Sequence, residues 1–427
     1  MNRSDHNYIE YVKILREELI PATGCTEPIA LAYAAAKARQ VLEAIPERCR
    51  VEVSGNLIKN VKSVIVPNTN GRKGIGAAVA AGITVGDPSK MLEVLSDIPE
   101  EEKPKIAEYE QSHEITIVPH EGDEIFYIDV TLFCGDGRAR VVIETYHTNL
   151  VLIEKNGAVL FQAGGKQESD LDVTDRSLLN VKDIVAFADA AELSDIEESV
   201  GRQIECNSAI AEAGMTGDWG ANIGKTLSAT YGTDVKIRAR AMAAAGSDAR
   251  MGGCEMPVII LSGSGNQSLA ASLPVIEFAK ELQVPRERLI RAVALSDLIA
   301  LHQKTSIGRL SAFCGAVSAG CAAGAGIAYL CGGDYDVISH TVVNALAVVS
   351  GIVCDGAKPS CAAKIAMAVD AGILGLHMYE NGQQFFSGDG IVTKGVDNTI
   401  ANVGRMASRG MRQTDREILN IMVGRDC

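Results

Sequence analysis

The longest uncharged run in the chain, residues 310–333, consists mostly of Ala, Gly, Ser and Cys. A run of this kind has to leave water. It is long enough to span a bilayer but too weakly hydrophobic to favour one, so it predicts a buried helix of a soluble domain. The following run, residues 337–354, carries Ser339, His340, Thr341 and Asn344, which suit a protein interior better than lipid. Together the two runs require closely packed helices that meet through small residues. Aromatic residues make up only 4% of the chain, whereas Gly occurs 42 times, so such a core has little bulk with which to pack otherwise.

Three cysteines stand in or beside these runs with almost no charge nearby: Cys314, Cys354 and Cys361. Cys314 is expected to start an Ala/Gly helix, Cys354 to end one just before Asp355-Gly356, and Cys361 to open the next after Pro359. Their spacing is not that of a local C-x-x-C motif. Two readings stay open on the residues alone: buried cysteines in a small-residue core, or ligands converging from helix ends.

A fourth cysteine lies in the turn Pro21-Ala22-Thr23-Gly24-Cys25-Thr26-Glu27-Pro28. Pro28 suits the first turn of a helix and Thr26 its cap. A thiolate at such a place is favoured by the helix dipole and can serve as a base or a metal ligand. Glu27 can supply charge or accept hydrogen bonds. The alternative is a plain corner between two helices.

Two polar loops follow apolar runs. One contains Asn68, Thr69, Asn70 and Gly71 through Gly74; the other runs Ser262-Gly263-Ser264-Gly265-Asn266-Gln267-Ser268. Each offers backbone N–H groups, hydroxyls and amides before a helix, as a carboxylate or phosphate requires. Neither completes a dinucleotide fingerprint or a P-loop. Lys304 and Arg309 before Cys314, and Lys358 between Cys354 and Cys361, can hold a substrate carboxylate or simply be solvated. His147 and His302 have no zinc spacing and are expected to be structural.

The formal net charge of −14 argues against nucleic acid and anionic membranes as partners. Residues 1–20 hold no apolar signal segment. Eleven cysteines without such a signal suggest a reducing cytoplasm and no structural disulfides.

Hydrophobic periodicity predicts an α+β chain. Residues 181–427, completed by residues 1–45, form a mainly helical domain. Residues 46–180 form an inserted, smaller α+β domain with a mixed or antiparallel sheet. Strands are expected at 50–54, 61–66, 114–118, 125–133, 138–145 and 151–160, with Asn156-Gly157 as a hairpin turn.

At this point a resemblance enters. Ile307-Gly308-Arg309-Leu310-Ser311-Ala312-Phe313-Cys314-Gly315-Ala316 and Val353-Cys354-Asp355-Gly356-Ala357-Lys358-Pro359-Ser360-Cys361 resemble the cysteine segments of iron–sulfur L-serine dehydratases. With the Cys25 turn, the Asn68–Asn70 loop and the Ser264–Asn266 loop, the chain is most similar to the L-cysteine desulfidases, serine dehydratase-like proteins. The resemblance spans residues 21 to about 406. It implies a 4Fe-4S cluster held by Cys314, Cys354 and Cys361, with Cys25 as proton acceptor. It also implies PLP-independent β-elimination of L-cysteine to pyruvate, ammonia and hydrogen sulfide. The substrate contacts expected with it are Glu27, Asn68, Thr69, Asn70, Ser264, Asn266, Arg309 and Lys358. The alternatives are L-serine as substrate or a non-catalytic sensor. Some serine dehydratases place a displaceable ligand at a C-terminal cysteine, and Cys427 matches that in position only. Ala/Gly-rich helices commonly pack into dimers, so a homodimer is expected, acting on a small amino acid.

Overall fold

The computed structural model describes residues 1–122, 124–163, 174–308 and 311–423. The chain opens with helix α1 (His6–Glu18), the short strand β1 (Pro21–Thr23) and helix α2 (Thr26–Leu42). Strand β2 (Arg48–Val53) leads into α3 (Gly55–Val61), α4 (Gly74–Thr84) and α5 (Pro104–Ser112). Five strands follow: β3 (Glu114–Pro119), β4 (Tyr127–Cys134), β5 (Gly137–Glu144), β6 (Leu150–Lys155) and β7 (Ala158–Gln162).

These strands and β2 form one sheet in the order β3-β2-β4-β5-β6-β7. The β2–β3 pair is parallel and the other pairs are antiparallel, so the sheet is mixed. Asn156 and Gly157 take φ values of 52° and 82° between β6 and β7. Those left-handed values are what a two-residue hairpin turn requires.

No strand forms over residues 61–66. Helix α3 occupies the start of that stretch, and only an isolated bridge between Ile65 and Lys73 remains. The alternating valines are buried because the loop closes on itself, with Val66 N–H donating to the Arg72 carbonyl at 2.9 Å. Burial of a closed loop imitated the period of a strand.

The rest of the chain is helical: α6 (Val181–Ala190), α7 (Leu193–Thr216), α8 (Ile223–Tyr231) and α9 (Val235–Met251). After strand β8 (Pro257–Ile259) come α10 (Gly265–Glu281), α11 (Arg286–Ile307), α12 (Gly315–Leu330), α13 (Tyr335–Val349), α14 (Cys361–Glu380), α15 (Val396–Arg405) and α16 (Arg412–Val423). The fold is therefore α+β and mainly helical.

Two large hydrophobic cores are present. One lies between the sheet and helices α2 and α4; the other joins α1 to the helices from α6 onward. Helix α2 thus packs with the sheet, although its position in the chain grouped it with the helices. Its Ala-rich face explains this. A Cβ on Gly82 of α4 would stand 2.2 Å from the Ala32 carbonyl oxygen, so α2 and α4 approach closer than larger residues permit.

The same device recurs at the centre of the helical core. Helix α12, the uncharged run, is buried among α10, α11, α13 and α14. A Cβ on Gly320 would meet Ala368 Cβ at 2.6 Å, and one on Gly324 the Gly372 carbonyl at 2.6 Å. Helices α12 and α14 therefore cross at glycine distance. By length and composition α14 is apolar enough to cross a membrane, but 56% of its apolar window is buried inside the protein.

Candidate active site

Strands β1 and β8 pair antiparallel, with Pro21 opposite Ile259 and Thr23 opposite Pro257. This small ribbon lies in the helical core, where the chain passes from α1 to α2. It brings the Cys25 turn, which follows β1, against the Ser262–Ser268 loop, which follows β8. Thr26 Oγ1 donates to the Gly263 carbonyl at 3.0 Å.

A second junction organises the other cysteines. Phe313 and Val353 form a bridge, with Cys314 N–H donating to the Ile352 carbonyl (3.2 Å) and Cys354 N–H to the Ala312 carbonyl (2.6 Å). Cys314 is the residue before α12, and Cys361 is the first residue of α14. The Cys361 thiol lies 3.7 Å from the Gly356 carbonyl oxygen. Gly356 has φ +91°, and a Cβ there would meet the Lys59 carbonyl oxygen at 2.1 Å. Only glycine allows this loop to lie against α3.

Between the two junctions is one cavity of about 110 Å³, lined by Cys25, Cys314, Cys354 and Cys361 together. A single water needs roughly 10–15 Å³ in this measure, so the space suits a group much larger than one ion. Glu27, Ser264 and Asn266 also line it. The structure thus brings together all four cysteines and three of the expected substrate contacts.

The other expected contacts are elsewhere. Asn68 donates to the Leu95 carbonyl at 2.7 Å, and Thr69 Oγ1 to the Val66 carbonyl at 2.6 Å. Asn70 is exposed. Thr69 closes its own loop and Asn68 ties that loop to Leu95; none of the three lines the cavity, although Pro67 beside them packs on Gly24. Lys358 Nζ is bonded to the carbonyls of Asp355 and Gly356, at 3.2 Å each, and paired with Asp355; it shapes the loop and does not reach the cavity. Arg309 and Cys427 lie outside the described residues.

The electrostatics correct one expectation. Cys25 is the N-cap residue of α2, and a helix N-terminus favours a thiolate. Burial outweighs the dipole: only 2% of Cys25 is exposed, and desolvation, then the negative charge of Glu27, push its pKa well above the ordinary thiol value. Cys25 is therefore a neutral thiol, and its Sγ donates to Glu27 Oε2 at 3.1 Å. Asn60 Nδ2 holds the other carboxylate oxygen at 3.1 Å.

Across the cavity, burial and then the neighbouring Cys354 and Cys361 push the Cys314 thiol up to about 12. Burial also raises Cys361. Lys364, bonded to the Val353 carbonyl at 2.8 Å and to Asp355, adds positive charge beside them. Metal binding to such a set would displace the thiol protons.

Among the described residues no group of three His, Cys, Asp or Glu can hold a single metal ion. A cluster sets a different requirement, because each thiolate binds its own iron and the three sulfurs stand apart around it. Three thiols from three elements, around a cavity of this size and next to a lysine, fit that donor set.

Sequence reasoning missed Lys59, Asn60 and Arg250, which line the cavity, whereas Gln267 of the second polar loop lines it as well. His147, expected to be structural, lines it too, edge-on to Phe126 at 4.7 Å between centroids. His302 is structural, with Nε2 bonded to Asp397 at 2.8 Å. No local signal marks Arg250, since α9 also carries Lys236, Arg238, Arg240 and Asp248.

The family described as serine dehydratase alpha chain matches residues 89–420. A UPF0597 protein of Desulfitobacterium hafniense is 59% identical over 99% of this chain and 98% of its own length. UPF0597 proteins of Lachnoclostridium phytofermentans and Treponema denticola are 49% and 45% identical, over 97% and 99% of this chain and 100% and 99% of their own lengths.

Proposed function

This chain belongs to the serine dehydratase alpha chain family, and from that premise we propose that it catalyses β-elimination of L-cysteine. L-cysteine and water would give pyruvate, ammonia and hydrogen sulfide, without pyridoxal phosphate. The observation that carries this reading is the single cavity in which Cys25, bonded to Glu27, lies with Cys314, Cys354 and Cys361.

In this reading Cys314, Cys354 and Cys361 hold a 4Fe-4S cluster. A cluster held there would supply Lewis-acid chemistry toward the substrate. The chain's own residues do the rest. Glu27 Oε2 takes the proton of the Cys25 thiol along the existing hydrogen bond, which frees the sulfur to accept the substrate's Cα proton. Asn60 fixes the carboxylate for that transfer. Asn266 Oδ1, buried without a partner among the described residues, accepts from the substrate ammonium, and Ser264 lies beside it at the start of α10. The tight burial of Cys25 and Glu27 keeps water from competing for the proton.

The family's description favours a second reading, L-serine as substrate with loss of water. Anaerobically prepared protein assayed with both amino acids separates the two. Sulfide and pyruvate from L-cysteine support the first, pyruvate from L-serine alone supports the second, and neither product from protein that contains iron and sulfide rules out both. The proposal includes a homodimer in the cytoplasm, which light scattering and cell fractionation test.

A further inference from the structure

We propose that Arg250, near the C-terminal end of α9, is the anchor for the substrate's carboxylate. Arg250 is 2% exposed and lines the cavity. Its Nε donates to the Gly24 carbonyl oxygen at 3.1 Å. Its two terminal nitrogens make no bond to any described residue, and no described carboxylate lies within ion-pair distance of it. A guanidinium taken from water at this depth normally has an anionic partner, because an unpaired buried charge is costly. The partner here has to arrive as a ligand.

The surroundings are shaped for that purpose. A Cβ on Gly265 would stand 2.4 Å from Arg250 Nε, so the glycine that opens α10 leaves the space the guanidinium occupies. The bond to Gly24 places Arg250 one residue from Cys25, and its charge acts on the Cys25 thiol. An anion held by the fork of Arg250 therefore sits beside the proposed base. Lys59, another cation of the cavity, is already paired with Asp415. A guanidinium presents two parallel donors that match a carboxylate.

That the anion is an α-carboxylate rests on the β-elimination reading; that Arg250 binds an anion does not. The fork would hold the carboxylate, Asn266 Oδ1 the ammonium, and the β-substituent would be left to point toward the three-cysteine wall.

The test is titration calorimetry on the anaerobic holoenzyme with L-alanine, which has no leaving group, and L-alaninamide, which lacks the carboxylate. The wild type should bind L-alanine roughly 10- to 100-fold more tightly than L-alaninamide, the range of a charge-assisted pair. R250Q should abolish that preference with the visible spectrum and iron content unchanged, R250K should keep part of it, and G265A should reduce it by displacing the guanidinium. The proposal is overturned if R250Q keeps the preference, if the preference is lost in K304Q instead, or if the wild type has none. Should R250Q fail to fold, R250K and G265A decide: unaltered L-alanine affinity in both overturns the proposal. A wild type that binds L-alanine through Arg250 but turns over neither cysteine nor serine leaves the anchor standing and removes the lyase reading.

Discussion

Cys25 Sγ and Glu27 Oε2 stand 3.1 Å apart, joined by a hydrogen bond that the thiol donates, with both residues buried. The pair puts the proton on sulfur at rest and its acceptor within reach. E27Q keeps the shape but removes the acceptor, and C25A removes the sulfur. Each should lower kcat by about 10²- to 10⁴-fold while the visible spectrum of the protein is kept. In E27Q the remaining activity should appear only at higher pH, because the thiol of the variant must lose its proton to solvent. Steady-state assays across pH check this, and an unchanged E27Q profile would remove Glu27 from the proton path.

The three cysteines opposite should behave differently from Cys25. C314A, C354A and C361A should each lose most bound iron and sulfide and the associated visible absorption. Metal and acid-labile sulfide analysis of anaerobically purified variants measures this directly. Iron loss from C25A equal to that of C354A would contradict the division into ligands and base.

Asp297 of α11 is fully buried, and burial raises its carboxyl from 3.8 to about 8. Gln203 Nε2 donates to Oδ1 at 3.0 Å, whereas Oδ2 and Gln203 Oε1 have no partner among the described residues. A proton on Asp297 supplies the donor that this acid–amide pair lacks. Between pH 4 and 8 the folded state then holds a proton that the unfolded state has released, so stability is full below pH 4 and falls as pH rises toward 8. Asn carries that donor permanently. D297N should be more stable than the wild type by about 2 kcal/mol at pH 9, with the difference shrinking toward pH 5. Urea denaturation at several pH values tests the slope; parallel profiles for the two proteins would refute it.

Lys59 is 1% exposed, and its ammonium is held by Asp415 of α16 at 2.5 Å. D415N should leave a buried cation without its counter-charge and cost roughly 1–3 kcal/mol. K59M, which removes the charge as well, should cost less than D415N. The double variant completes a cycle measured by chemical denaturation, and a D415N protein as stable as the wild type would show that α16 contributes no charge to this site.

Much of this arrangement was legible in the chain itself. The small-residue run at 310–333 had to be buried, and over Ala316–Leu330 of α12 it is. Asn156-Gly157 turns as its backbone preference requires, and the motifs around Cys25, Ser264, Cys314 and Cys354–Cys361 meet at one cavity. What was hidden depends on distance in space. The dipole argument for Cys25 concerned only its own helix, whereas desolvation by elements far away in sequence decided the direction. Asn68 and Thr69 looked available because the carbonyls of Leu95 and Val66 that occupy them cannot be read from composition. Nothing in the local sequence marks Arg250 or Lys59, which the packing of α9 and α3 buries.

The glycine contact between α12 and α14 has a consequence for the thiols at their ends. Cys314 immediately precedes one helix and Cys361 begins the other, so the thickness of that contact acts as a gauge for the gap between two donors. Widening it by a single methyl at Gly320 or Gly372 would spread the sulfurs from behind without touching anything they bind. Homologues that retain every cysteine but carry bulkier residues at 320, 324 or 372 should therefore accept a cluster less tightly, and an alignment scored on the cysteines alone would overlook the difference.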